Sequence, residues 1–98
     1  MHLSSGELRT IKDFFHEQPV LKVFLYGSYA RKEAGKESDV NILVELDPSE
    51  ESKAKIAKMK LDLQKILHKK INLVSKGEIS KYFLPFIEHD KKLLYKKG

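Results

Sequence analysis

"YGSYARKEAGKESDVNILVEL", residues 26–46, decides the reading of this chain. It opens at the end of "VLKVFLY", 20–26, a run whose β-branched and aromatic residues read as a strand buried on most of its surface. Gly27-Ser28 breaks that strand. Glycine lets a ligand approach the backbone closely. A short helix expected from Ser28 through "SYARKEA", closed by Gly35, would offer free N–H groups to an anion, and the serine hydroxyl adds a donor. The GxxxxGK[ST] pattern of a Walker loop is absent. "DVNILVEL", 39–46, then reads as a second strand. Residues i and i+2 of a strand share a face, so Asp39 and Asn41 project together. The strand is otherwise Val, Ile and Leu. A polar pair there costs desolvation unless it is satisfied or faces a cleft.

The pattern returns in "KKINLVS", where Asn72 stands between Ile71 and Leu73 in a third strand, 70–75. If that strand lies beside 39–46, Asp39, Asn41 and Asn72 converge near Gly27-Ser28. A strand-edge asparagine that bonds local backbone is the plain alternative for Asn72.

The remaining segments are helical by period. Ser4 or Ser5 caps a first helix with Glu7 or Glu17 on its exposed side; Leu8, Ile11, Phe14 and Phe15 face inward, and Pro19 ends the region. Ile56, Met59, Leu63, Ile66 and Leu67 make 49–68 an amphipathic helix. Residues 79–90 read as a helix with Phe83, Phe86 and Ile87 inward and Pro85 near its first turn, and "KLLY", 92–95, as a short last strand. The order implies an α/β (α+β) fold, one sheet covered by helices.

With 98 residues, the expectation is a single domain spanning 1–98. The chain is 41% hydrophobic and 34% charged, which is globular and not disordered. It has no cysteine, so thiolate metal sites and disulfides are excluded; a cytoplasmic location fits. The N-terminal stretch lacks the pattern of a signal peptide, and no apolar run approaches the ~20 residues of a membrane helix. The net charge is +5, with lysines concentrated in 49–70 and in 91–98. Such a face attracts phosphates or an acidic surface, but by default it only solvates a helix and a tail. No arginine-rich patch with interleaved aromatics marks nucleic-acid binding. His2, His16, His68 and His89 show no ligand spacing.

On "YGSYARKEAGKESDVNILVEL", "KKINLVSKGEIS" and "FIEHDKKLLY", nearly the whole chain resembles the minimal nucleotidyltransferases, the MNT group of the polymerase-beta-like superfamily. The resemblance implies the nucleotidyltransferase fold, a small mixed sheet of three to four strands under helices. It implies that Gly27, Ser28 and Arg31 bind nucleotide phosphate. Three carboxylates would hold two divalent ions, Mg²⁺ or Mn²⁺, for transfer of a nucleoside monophosphate, AMP from ATP, to an acceptor hydroxyl. The acceptor belongs, by resemblance, to a HEPN-domain partner for which the MNT chain is the antitoxin; a homo- or hetero-oligomer is expected. Asp39 matches the first, catalytic ligand.

Asn41 and Asn72 occupy the second and third ligand positions as amides. Mg²⁺ favours anionic oxygen. Glu45 shares parity with Asn41 but lies roughly 13 Å along the strand at ~3.3 Å per residue. Glu33 and Glu37 sit in the spacer. Arg31 has an alternative use as a structural partner of Glu37 or Asp39. Three readings follow: a transferase using Asp39 and two amides, a catalytically impaired nucleotide- and partner-binding subunit, and a basic nucleic-acid-binding module that no motif supports.

Overall fold

The computed structural model describes residues 3–50 and 53–98. Helix α1 (Ser5–His16) starts where Ser4 Oγ accepts the Glu7 N–H at 3.0 Å and Glu7 Oε1 accepts the Ser4 N–H at 3.0 Å. This reciprocal capping box satisfies two otherwise unpaired donors. Of the two candidate serines, then, Ser4 is the cap. Ile11 and Phe15 are fully buried, while Leu8 and Phe14 pack on the margin of the core.

Strand β1 (Val20–Tyr26) pairs antiparallel with β2 (Val40–Leu46) and with β4 (Lys92–Lys96); β2 pairs parallel with β3 (Ile71–Ser75). The sheet order is β3-β2-β1-β4. Helix α2 (Lys53–Leu67) makes the crossover that a parallel pair requires. It ends on His68, whose N–H still donates to the Gln64 carbonyl at 2.9 Å and whose φ of 55° turns the chain out of the helix. A left-handed residue in that place closes a helix as glycine or asparagine usually does.

The two faces of the sheet are unequally covered. Val23, Leu25, Val40, Ile42, Val44, Ile71 and Leu73 join α1 and α2 in the main core. On the other face Phe24, Leu43 and Ile87 form a smaller cluster beneath α3 (Leu84–Asp90). That helix has two turns and only Ile87 is buried. Phe83 and Phe86, expected to face inward, are 58% and 66% exposed. Residues 79–83 do not join the helix; Pro85 sits in its first turn. Phe83 precedes the helix, and Phe83 and Phe86 line the open cleft beside Ile87.

Two further expectations need correction. Ile66 lies at the margin of the α2 stripe and is 48% exposed, while Ile56, Met59, Leu63 and Leu67 are buried. The segment after Gly27 is not a helix: it is a single turn, closed at Lys32 with φ 62°. The Glu33 N–H donates to Ser28 O at 2.8 Å and Lys32 N–H to Tyr29 O at 3.3 Å. That nested pair is a Schellman closure. Tyr29, Ala30 and Ala34 are buried and anchor the turn to the core. Pro48–Glu50 form a 3₁₀ turn before α2, and of the expected helix 49–68 residues 51 and 52 lie outside the described residues, as does His2. Among the described residues, no helix is long and apolar enough to cross a membrane.

Phe15 is the largest fully buried side chain. Phe15→Ala should cost about 3–5 kcal/mol of unfolding free energy, read from urea denaturation, because the site lies between a helix and a sheet and cannot collapse freely.

Candidate functional site

Sheet register builds the site. Tyr26 stands opposite Asn41, and Asn41 opposite Asn72. These three positions form one row across β1, β2 and β3, on the face that α3 only partly covers. Gly27 follows Tyr26 at the end of that row. Its φ of +79° lies in the left-handed region, and a Cβ there would stand 2.6 Å from Asn41 Nδ2. The left-handed backbone favours glycine at position 27, and a Cβ there would also have to push the end of the Asn41 side chain aside.

The predicted convergence of Asn41 and Asn72 is observed. Asn72 Nδ2 donates to Asn41 Oδ1 at 3.1 Å. Asn72 thus bonds across the sheet, not to local backbone. Two carboxylates about 4 Å apart would repel by about 4 kcal/mol at an effective dielectric of about 20. Two amides attract instead, because each supplies both a donor and an acceptor.

Asp39 does not join this pair. It immediately precedes β2, and its Oδ1 lies 3.9 Å from Lys70 Nζ. Backbone holds the two residues together, since the Val40 N–H donates to Lys70 O at 2.9 Å. Asp39 lines a depression of about 390 Å³ with Lys36, Glu37, Lys69 and Lys70. Lys70, adjacent to the third strand, carries no distinguishing motif in the sequence.

Arg31 pairs with neither Glu37 nor Asp39. Its Nε donates to Glu33 Oε2 at 3.1 Å and its Nη1 to Asp90 Oδ2 at 2.5 Å. These bonds raise the Arg31 pKa further, Glu33 contributing first and Asp90 next. Asp90 is held below the ordinary carboxylate range, first by the hydrogen bond from Arg31 and then by His89 Nδ1, 3.3 Å from its other oxygen. Arg31 and Asp90 are 59 residues apart, and no spacing rule connects them. Gly27, Arg31, Asp90, Tyr26 and the two exposed aromatics Phe83 and Phe86 line a cleft of about 540 Å³ beside the row of amides.

The donor set does not fit a two-metal centre. One carboxylate faces a lysine, two amides are bonded to each other, and Glu45 is paired with Lys76 at 3.9 Å. Among the described residues no three His, Asp or Glu side chains are grouped to hold a metal ion. A hard divalent ion needs more anionic oxygen than this.

A family model for the nucleotidyltransferase domain matches residues 8–95. A protein of Methanocaldococcus jannaschii, by name a protein adenylyltransferase, is 38% identical over 73 residues, which cover 72% of this chain and 73% of that protein. Among solved structures, a toxin–antitoxin complex with AMP-PNP superposes with a TM-score of 0.80 at 17% identity, over 93% of this chain and 74% of the other. The complex of a tri-AMPylated Shewanella oneidensis HEPN toxin with its MNT antitoxin gives 0.76 at 15% identity, over 97% and 74%. A minimal nucleotidyltransferase gives 0.77 at 21%, over 89% and 88%. At these identities the structural matches establish a shared fold.

Two outcomes test the geometry. Gly27→Ala should destabilise the chain by about 1–2 kcal/mol from the left-handed backbone alone, and by less in an Asn41→Ala background than in the parent, as a double-mutant cycle of denaturation midpoints would read. Because the folded-state pKa of Asp90 is lowered, its contribution is complete above the ordinary carboxylate range and disappears as pH falls through the lowered value. Asp90→Asn should therefore lose less stability than the parent on acidification below about pH 4, measured by denaturation at stepped pH.

Proposed function

The chain belongs to the nucleotidyltransferase domain family, and from that premise we propose that it is an antitoxin-type subunit that binds ATP and a HEPN-domain partner in the cytoplasm, with AMP transfer to the partner strongly impaired. The observation that carries this reading is the Asn72–Asn41 bond, which uses both amides at the places where the family resemblance puts carboxylates. The Gly27-Ser28 turn supports nucleotide binding. Its backbone is held open by the left-handed glycine, and buried Tyr29 and Ala30 fix its position. The Ser28 N–H, next to that glycine and partly exposed, donates to no backbone carbonyl among the described residues and can serve a phosphate oxygen. Arg31 lines the neighbouring cleft, bonded to Glu33 and Asp90. The partner reading rests on the toxin–antitoxin assemblies that share this fold.

One observation favours a second reading, in which AMP transfer persists. Asp39, the first ligand position, remains a carboxylate, and the M. jannaschii relative is by name an adenylyltransferase. The two readings differ in rate. Losing about 4 kcal/mol of transition-state stabilisation slows chemistry ~1,000-fold.

The test is transfer of label from ATP labelled at the α-phosphate, with Mg²⁺ or Mn²⁺, to a co-expressed HEPN partner. Co-purification with little or no labelling is expected. Asn41→Asp with Asn72→Asp should raise labelling by ~10-fold or more, and Asp39→Ala should remove the gain. Labelling by the parent chain at the level of the double variant would sink the impaired reading in favour of the second. Failure of the two proteins to associate at micromolar concentration would sink the partner assignment.

A further inference from the structure

We propose that this site takes a nucleoside phosphate without its divalent cation. The inference rests on the nucleotide-binding half of the proposed function and goes beyond it by specifying the form of the ligand. A site of three carboxylates repels a bare phosphate and accepts it only with metal between them. Here the two replacements do more than remove charge. Asn41 spends its carbonyl oxygen on Asn72, and its Nδ2 lies against the Gly27 backbone, 2.6 Å from where a Cβ would stand. An acceptor that needs a cation has become a donor aimed at the turn that receives phosphate. An amide N–H bonds a phosphate oxygen directly.

The surrounding charges are mostly paired with one another, which leaves the amide as the donor that distinguishes the site. The one carboxylate among the three ligand positions, Asp39, has Lys70 Nζ 3.9 Å away. Three lysines, Lys36, Lys69 and Lys70, line its depression against two acids, Glu37 and Asp39; Lys69 is also paired with Glu7 at 3.2 Å. On the other side, Arg31 lines the cleft, with its charge shared between Glu33 and Asp90. A free phosphate approaching Gly27 therefore meets an amide donor in the place of a carboxylate. Mg²⁺ already on the phosphate would find one paired carboxylate to complete its shell and would compete with the amide donor for the same phosphate oxygens.

The experiment is isothermal titration of the chain with ATP, once in excess EDTA and once in excess Mg²⁺. Affinity in EDTA should equal or exceed that in Mg²⁺, any loss being less than ~3-fold. Asn41→Asp with Asn72→Asp should bind ~10-fold more weakly in EDTA and recover with Mg²⁺. Asn72 is exposed, so Asn72→Asp alone serves as a second variant with no burial penalty and should shift the same way. Thermal melts establish that each variant is folded. A parent chain that loses ~10-fold or more in EDTA overturns the inference, as do variants whose cation dependence matches the parent's. Absence of binding in both buffers overturns it too, and association with a HEPN partner, measured separately, then decides whether the antitoxin-type reading stands without it.

Discussion

The pairing of β2 between β1 and β3 is the constraint on which the rest of the site depends. A strand pairs in one register when one face must be buried, since a slip by one residue would send every buried side chain to the opposite face. Val40, Ile42 and Val44 are fully buried on the side of α1 and α2. That burial holds Asn41, Leu43 and Glu45 on the other side. The ladders then bring Tyr26 and Asn72 level with Asn41. Gly27, next in the chain after Tyr26, passes close over the Asn41 amide in a left-handed conformation that favours a residue without a Cβ. The position of the turn, the conformation of its glycine and the meeting of the amides are three consequences of one packed face.

The second face explains the cleft. Helix α3 is too short to cover the strands from edge to edge, and only Ile87 reaches into the small cluster of Phe24 and Leu43. Phe83 and Phe86 are left along the rim. The Arg31–Asp90 bond ties the end of α3 to the turn after β1, across that opening. An exposed ion pair contributes little to global stability. Its effect here is positional: it decides where the guanidinium lies when a ligand arrives, and it couples the two walls of the cleft.

Much of this arrangement is legible in the residues. The first three strands announce themselves as short runs rich in β-branched residues, with the last, "KLLY", less marked, and Asp39/Asn41 and Asn72 stand out because polar residues interrupt two of them. Ser4 with Glu7 follows a capping pattern at fixed spacing. The turn after Gly27 is harder to read, because "SYARKEA" has helical composition and nothing in it marks Lys32 as the left-handed stop. Hydrophobicity at 83 and 86 is equally silent about exposure, since period alone does not tell how much surface a partner element offers. Lys70 and Asp90 became part of the site only through contacts distant in sequence or made across a strand end.

By itself, the sequence determined which groups are available: a Gly-Ser turn, Asp39, two asparagines in strands and no cysteine. It also determined a family, because local spacing within 26–46 is a chemical pattern that survives without coordinates. Only the tertiary structure decided how those groups are used. Asn41 and Asn72 are 31 residues apart, and whether they ligate, solvate or bond each other depends on strand register. Asp39 has a lysine beside it because Lys70 ends the segment before β3, and Arg31 straps to Asp90 because α3 ends there. Chain order limits which elements can form, but contacts between distant elements are set by the burial of the whole sheet, and those contacts decide whether an acceptor or a donor faces the turn.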